Sequence, residues 1–283
     1  VLVQHSLGIP ADIIAIKKWC IKNNLLLIED LAQGIGGVDS QGKPLGHNAD
    51  AVIFSFGRDK IIDAISGGAV VFKNLGAEEI SYAESILERT AENFPKSFLI
   101  KDMLYPLITS LGRKTHDVII GKIIFKLARF FGLISSPTIS KTSKLTGMNS
   151  AYAKLAISSF SKLEKQILNR RKLANYYFDN IDNSQIAIIN TKKNVEQGSN
   201  LRFSIRVNDV SKLIKLMRKN KIYLSDRWYR SAVDCGRKSC GSINKKGQAS
   251  NAEKLTNEIF NLPTHQNISL DKASRIVSVL NKF

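Results

Sequence analysis

Near the start of the chain Val1 to His5, opened by three apolar residues, and the unbroken apolar block Leu25 to Ile28 both read as buried strands. The segment between them has a different period. From Ala11 to Asn24, Ile13, Ile14, Ile16 and Ile21 alternate with Lys17, Lys18 and Lys22 at helical spacing. Strand, helix and strand within the first 28 residues predict a βαβ unit. A parallel sheet buried on both faces is therefore expected. Further apolar runs, Ala51–Phe56 and Ala69–Phe72, extend this pattern, the second opened by the pair Gly67-Gly68.

Residues 75–146 read as helical and irregular. Within them Ile119 to Ile134 is an apolar helix on which Lys122, Lys126 and Arg129 recur at spacings of four and three. Such a basic stripe suits an anionic membrane surface. Packing against a partner subunit or the core, with the lysines in water, is the expectation here. A long helix follows from Ser150 to Asp179, with Tyr152, Leu155, Phe160, Leu163, Ile167 and Leu173 near helical spacing. It leads into strands at Ile186–Ile189 and Leu201–Val207, a helix at Ser211–Asn220, a strand at Ile222–Leu224 and a last helix from Leu270. The expected division is a large-domain portion over 1–146, with a helical insertion at about 75–146, and a small α/β domain over 147–283.

Composition changes this picture little. A chain of 283 residues with 43% apolar content can build substantial cores. No uncharged apolar run reaches the roughly 18 residues that span a bilayer. The three cysteines, Cys20, Cys235 and Cys240, are too few for a disulfide framework and point to a reducing, cytoplasmic compartment. Cys235 and Cys240 have no partner pair elsewhere, so no metal site is expected. The formal charge of +18 raises a nucleic-acid reading. The lysines are dispersed and no nucleic-acid motif accompanies them, so a solvated basic surface or an anionic small-molecule substrate fits better.

The chemistry lies at the ends of the apolar blocks. Asp30 and Gln33 follow one of them, and Ser55 and Lys60 close another. Ligands of parallel α/β sheets bind beyond the carboxyl ends of the strands. An acid, a hydroxyl and a primary amine at neighbouring strand ends suit pyridoxal 5'-phosphate (PLP). The amine bonds the cofactor aldehyde, and the acid keeps the pyridine nitrogen protonated.

At these residues the chain resembles a known family. E-D-x-A-Q (Glu29 to Gln33), F-S-F-x-x-x-K (Phe54 to Lys60) and G-G-A-V-V (Gly67 to Val71), with the turn from His5 to Asp12 and the segment Asn261 to His265, resemble the DegT/DnrJ/EryC1/StrS aminotransferases. The resemblance implies the aspartate-aminotransferase-like (type I PLP) α/β fold, with an incomplete large domain, a small C-terminal α/β domain and a homodimer. It implies amino transfer from an amino acid, with glutamate the expected donor, to a nucleotide-linked keto-sugar. Lys60 takes the catalytic role, Asp30 the pyridine nitrogen, Gln33 the ring and its 3-hydroxyl, and Ser55 the phosphate. Some relatives replace the lysine and catalyse dehydration, so Lys60 favours amino transfer. A type I PLP enzyme acting on an amino acid or lipid-linked substrate, and a cofactor-free interaction protein keeping the fold, stand as alternatives.

Weaker candidates are His5 near the cofactor, Asn149 toward a neighbouring subunit's phosphate, and Arg227-Trp228-Tyr229-Arg230 for a nucleotide-sugar. Two departures stand out. Ile65 and Ser66 occupy positions where many relatives have a glycine and an acid. The glycine-containing phosphate loop also has no counterpart, so roughly a hundred or more residues of a complete cofactor domain are expected before Val1.

Overall fold

The computed structural model describes residues 1–90, 96–115, 119–131, 133, 147–224 and 247–283. Two sheets organise the chain. The first joins β1 (Leu2–Gln4), β2 (Ile28–Asp30), β3 (Ala51–Ser55) and β4 (Gly68–Phe72) in that spatial order. β1, β2 and β3 run parallel, and β4 returns antiparallel with Ser55 opposite Gly68. The start of β4 therefore lies at the same sheet edge as the ends of β2 and β3. Helix α1 (Ile13–Lys22) is the crossover, and Asp12 caps it by accepting from the Ala15 N–H at 3.2 Å. Its inward residues Ile13 and Cys20 pack with Leu27, Leu31, Leu45 and Val52.

Beyond β4 come α2 (Ala77–Thr90), α3 (Lys96–Lys114) and α4 (Ile119–Phe130), then α5 (Ser150–Phe160) and α6 (Leu163–Asn180). The second sheet is antiparallel and ordered β5 (Ile186–Ile188), β6 (Arg202–Val207), β7 (Ile259–Pro263). Around it lie α7 (Lys192–Gln197), α8 (Val210–Lys219), α9 (Ser250–Glu258) and α10 (Leu270–Leu280). Leu173 and Tyr177 of α6, Phe203 and Ile205 of β6, and Phe260 and Leu262 of β7 form its core. A third cluster joins the two sheets, Phe56, Ile61 and Ile62 from one side meeting Ala156, Ile167 and Leu201 from the other.

Several expectations need correction. Burial on both faces holds only at the centre of the first sheet. Ala51 and Val52, which point to opposite faces of β3, are both buried, whereas Leu2 of the edge strand β1 and Val70 and Val71 of the edge strand β4 are exposed among the described residues. The predicted helix from Ser150 to Asp179 is two helices, broken at Ser161-Lys162, where the Lys162 N–H turns back to the Ser159 carbonyl at 3.1 Å. Residues 222–224 form no strand; Ile222 instead packs beside the second core. In the first sheet the second strand begins at Ile28 rather than Leu25, leaving Leu25 and Leu26 exposed.

Asp50 fixes the approach to β3. Its carboxylate is buried, accepting from the Leu27 N–H and from the Lys17 ammonium, each at 2.8 Å. Burial alone would raise its pKa; the Lys17 and Leu27 hydrogen bonds outweigh this and hold it below the ordinary value. A depressed folded pKa contributes stability above the unfolded carboxylate pKa of about 3.9, and that contribution is lost as pH falls through the folded value. Asp50→Ala should lower stability in urea unfolding at pH 7 by about 2–3 kcal/mol, because the Leu27 N–H is left buried and unpaired. The gap between mutant and parent should narrow below about pH 4 as the parent loses the same interaction.

The loop between β3 and β4 carries backbone strain. Ile65 sits at φ 73 and Asp59 at φ 69, the left-handed region, where a β-branched residue is a clear outlier. Gly67, at φ 109, has Met148 against it so closely that an added Cβ would lie 2.7 Å from the sulfur. Ile65→Gly should raise stability by about 1 kcal/mol, relief of the strain exceeding glycine's entropic cost. A thermal melt that falls instead would show that Ile65 contributes more by packing than it costs in strain.

Candidate active site

The candidate residues gather where the parallel strands end. Asp30 is the last residue of β2, and its Oδ1 accepts from the Ala32 N–H at 2.8 Å while Oδ2 accepts from the Gln4 side-chain amide at 2.9 Å. Both contacts orient a carboxylate that remains partly exposed. Ser55 ends β3, one strand over. Lys60 follows in the strained loop, partly buried, its backbone N–H donating to the Gly57 carbonyl at 3.2 Å. Burial lowers the Lys60 pKa; the charge of Asp30 opposes that shift, Arg202 adds to it, and Asp59 opposes it weakly. Asp30 and Lys60 thus lie within electrostatic reach of each other, as an acid–amine pair at one cofactor requires.

Gln33 has a different immediate duty. It is buried, and its Oε1 accepts from the Leu7 N–H at 2.6 Å. Because the partner is a donor, the atom facing Leu7 must be the oxygen, which leaves the Nε2 amide as the group available to a ligand acceptor. His5 is fully buried. Its Nδ1 accepts from the Ala11 N–H at 3.1 Å, so the proton lies on Nε2 and is donated to Glu29 Oε2 at 3.0 Å. That bond and the Gly46 N–H fix Glu29 at the centre of β2. His5 is a structural residue behind the site rather than a group in it. Asn149 caps α5, its Oδ1 accepting from the Ala151 N–H at 2.9 Å. Arg227 to Arg230, Cys235 and Cys240 lie outside the described residues, as does Ile134 at the end of the expected basic helix.

Lys60 also borders a cavity of about 790 Å³ whose walls come from four parts of the fold. The β3–β4 loop supplies Arg58 and Lys60, α3 supplies Tyr105 and Thr109, α5, α6 and the break between them supply Ser158, Arg170 and Lys162, and the second sheet with the turn after β7 supplies Arg202 and His265. Asp30, Gln33 and Ser55 are not part of this lining, so Lys60 borders both the strand-end cluster and the cavity. Five of the lining residues are lysine or arginine (Arg58, Lys60, Lys162, Arg170, Arg202), against two aspartates (Asp59, Asp63). A basic concave surface of this kind concentrates anions.

The arginines were not singled out by the sequence. Arg170 is buried and donates to the Leu201 carbonyl at 3.1 Å and the Thr264 hydroxyl at 3.0 Å. Burial and the neighbouring Arg202 bring its pKa down to about 10, still charged at neutral pH. Arg58 pairs with Asp102 of α3 and lies over the Tyr105 ring, 4.0 Å from its centre. Tyr152 donates to the other oxygen of Asp102 at 2.6 Å, and burial followed by that carboxylate pushes the phenol pKa upward. Thr264, inside the segment Asn261 to His265, was the one available signal for the Arg170 anchor.

These groups fit PLP. A carboxylate at a strand end suits a pyridine N–H. A partly desolvated primary amine suits an aldehyde. The Ser55 hydroxyl, which makes no hydrogen bond among the described residues, suits a phosphate oxygen.

Comparison with known proteins identifies the fold and the family. Superposition on a DegT/DnrJ/EryC1/StrS aminotransferase of Brucella abortus gives a TM-score of 0.66 at 17% identity, covering 100% of this chain and 63% of that one. DesI, whose structure was determined in the presence of its TDP-sugar product, gives 0.61 at 17% identity, covering 100% and 61%. A Streptococcus pneumoniae protein in its PLP form gives 0.64 at 15% identity, covering 99% and 67%. The chain thus spans about two thirds or less of the length of these structures, and at such identities they establish the type I PLP aminotransferase fold. The model of the DegT/DnrJ/EryC1/StrS aminotransferase family matches residues 1–95 and 120–281, most of the sequence, and the chain belongs to that family.

Proposed function

We propose that this protein is a PLP-dependent aminotransferase that moves an amino group from an amino acid, glutamate being the expected donor, to a nucleotide-linked keto-sugar. The observation carrying this reading is Lys60 itself, a partly buried amine within the field of a strand-end carboxylate and at the border of a basic cavity. PLP supplies an electron-accepting ring that stabilises negative charge developing at the substrate carbon. Asp30 would face the pyridine nitrogen and hold its proton. Ser55 would hold a phosphate oxygen, and the Gln33 Nε2 amide would donate toward the ring's 3-oxygen. Burial keeps more of the Lys60 Nζ in its free-base form at neutral pH, which suits bonding to an aldehyde and carrying a proton during turnover.

Arg58, Lys162 and Arg202 line the side from which a substrate would enter. Their charge favours an anionic acceptor, and a nucleotide-linked sugar carries the required diphosphate. The TDP-sugar product of DesI, a structural neighbour, supports the same substrate class. We also propose a division near residue 146 into large-domain and small-domain portions, a homodimer as the working unit, and a cytoplasmic location. Among the described residues no helix is long and apolar enough to cross a membrane.

Lys60→Ala should abolish fixation of the cofactor by borohydride and remove amino transfer, while non-covalent PLP binding stays measurable. Peptide mapping that finds the fixed cofactor on another lysine would overturn the assignment. Asp30→Asn should keep borohydride fixation at Lys60 but lose turnover by about 2–4 kcal/mol in barrier, because a neutral amide cannot hold the pyridine proton. Turnover close to that of the parent would reduce Asp30 to a loop residue that binds the Ala32 N–H.

A further inference from the structure

Helices α3 and α4 form a hairpin that the family model only partly covers, passing over residues 96–119. The hairpin has two faces of different character. Inward, Asp102, Tyr105, Thr109 and Gly112 recur at spacings of three and four; the first two engage Arg58, and Gly112 lies against Phe125 of α4. Gly121 and Ala128 of α4 are buried on the same side.

Outward, the pattern is apolar. Leu104, Leu107 and Leu111 on α3 and Ile123, Leu127 and Phe130 on α4 are all exposed at helical spacing, Phe130 by 83%. Contiguous exposed apolar surface of this kind marks an interaction site. The charge of this stretch of sequence points to the chemistry of the partner. Residues 96–131 contain seven lysines and arginines against two acids, and one of those acids, Asp102, is paired inward with Arg58 and Tyr152. Lys101 and Lys126 are exposed beside the apolar stripe.

We propose that the outer face of this hairpin docks on an anionic phospholipid bilayer, its leucines and Phe130 entering the headgroup boundary and its lysines meeting lipid phosphates. Charge decides between a bilayer and a second copy of the chain. A two-fold contact would set this basic patch against itself, whereas an anionic surface complements it. Neither helix spans the bilayer. Because the inner face of α3 walls the cavity beside Lys60, docking would bring that cavity close to the lipid surface.

The test is co-sedimentation of the intact protein with vesicles of phosphatidylcholine containing phosphatidylglycerol, at roughly physiological salt, with pure phosphatidylcholine vesicles as control. Binding should require the anionic lipid. Lys101→Gln with Lys126→Gln should weaken it by about thirtyfold, near the expectation for two basic residues at such a surface. Leu127→Ser with Phe130→Ser leaves the net charge unchanged and should weaken binding at least about tenfold. Circular dichroism confirms folding of each variant. Three outcomes would overturn the proposal. One is absence of binding by the parent. Another is parent-like binding by the serine variant, since the +18 charge alone would then explain it. The third is an oligomer in sedimentation velocity that the serine pair dissociates while vesicle binding persists, which would assign the face to a second copy.

Discussion

A buried hydrogen-bonded knot behind the strand ends sets the geometry of everything in front of it. The chain leaves β1 through two left-handed residues, Leu7 at φ 61 and Gly8 at φ 80. The Leu7 N–H is satisfied by the Gln33 side chain, the Ser199 hydroxyl donates to the Gln33 carbonyl at 2.7 Å, and the Ser199 N–H donates to the Gly8 carbonyl at 3.1 Å. A Cβ on Gly8 would lie 2.6 Å from that same hydroxyl. Three segments far apart in sequence are thereby fixed together where Leu7, Gln33 and Ser199 are all buried, so an unpaired group would cost about 1–3 kcal/mol. Asp30 lies three residues before Gln33 and Arg202 three after Ser199, so the knot also ties together the segments carrying two of the three charges that act on Lys60.

The electrostatics of the site follow from this arrangement. Desolvation pushes the Lys60 amine toward its neutral form, and Asp30 restrains the shift without cancelling it. Arg170 is shifted in the same direction, by burial and by Arg202. It is more deeply buried, yet its donors reach the Leu201 carbonyl and Thr264, and its pKa of about 10 leaves it charged. Burial thus lowers both cations, and the guanidinium starts from a pKa high enough to stay charged at the cavity wall.

The loop carrying Lys60 is held from two directions. Gly67 yields to Met148, and Arg58 is clamped by Asp102 and Tyr105 of α3, with Tyr152 of α5 completing the network. Strain at Asp59 and Ile65 persists between these anchors. Helix α3 is therefore a wall of the site as well as half of an exposed hairpin. Any contact made on its outer face bears on the same helix that positions the lysine loop.

Local pattern determined much of this protein. Periods of two and 3.6 placed β1, α1, β3, β6, α8 and α10 to within a few residues, because those periods report directly which side chains face an interior. The acid, serine and lysine were legible for the same reason, since parallel strands deliver their following residues to one edge. Tertiary structure decided the rest. Whether Ile222 to Leu224 pairs as a strand, or Ser150 to Asp179 runs unbroken, depends on what packs alongside, which periodicity does not encode. The orientation of the Gln33 amide depends on an N–H 26 residues away, and its carbonyl is held by a hydroxyl 166 residues away. The roles of His5, Arg58, Arg170 and Arg202 are likewise set by partners brought near only by the fold. A residue's type states what bonds it can make; burial and the identity of its neighbours select which of them form.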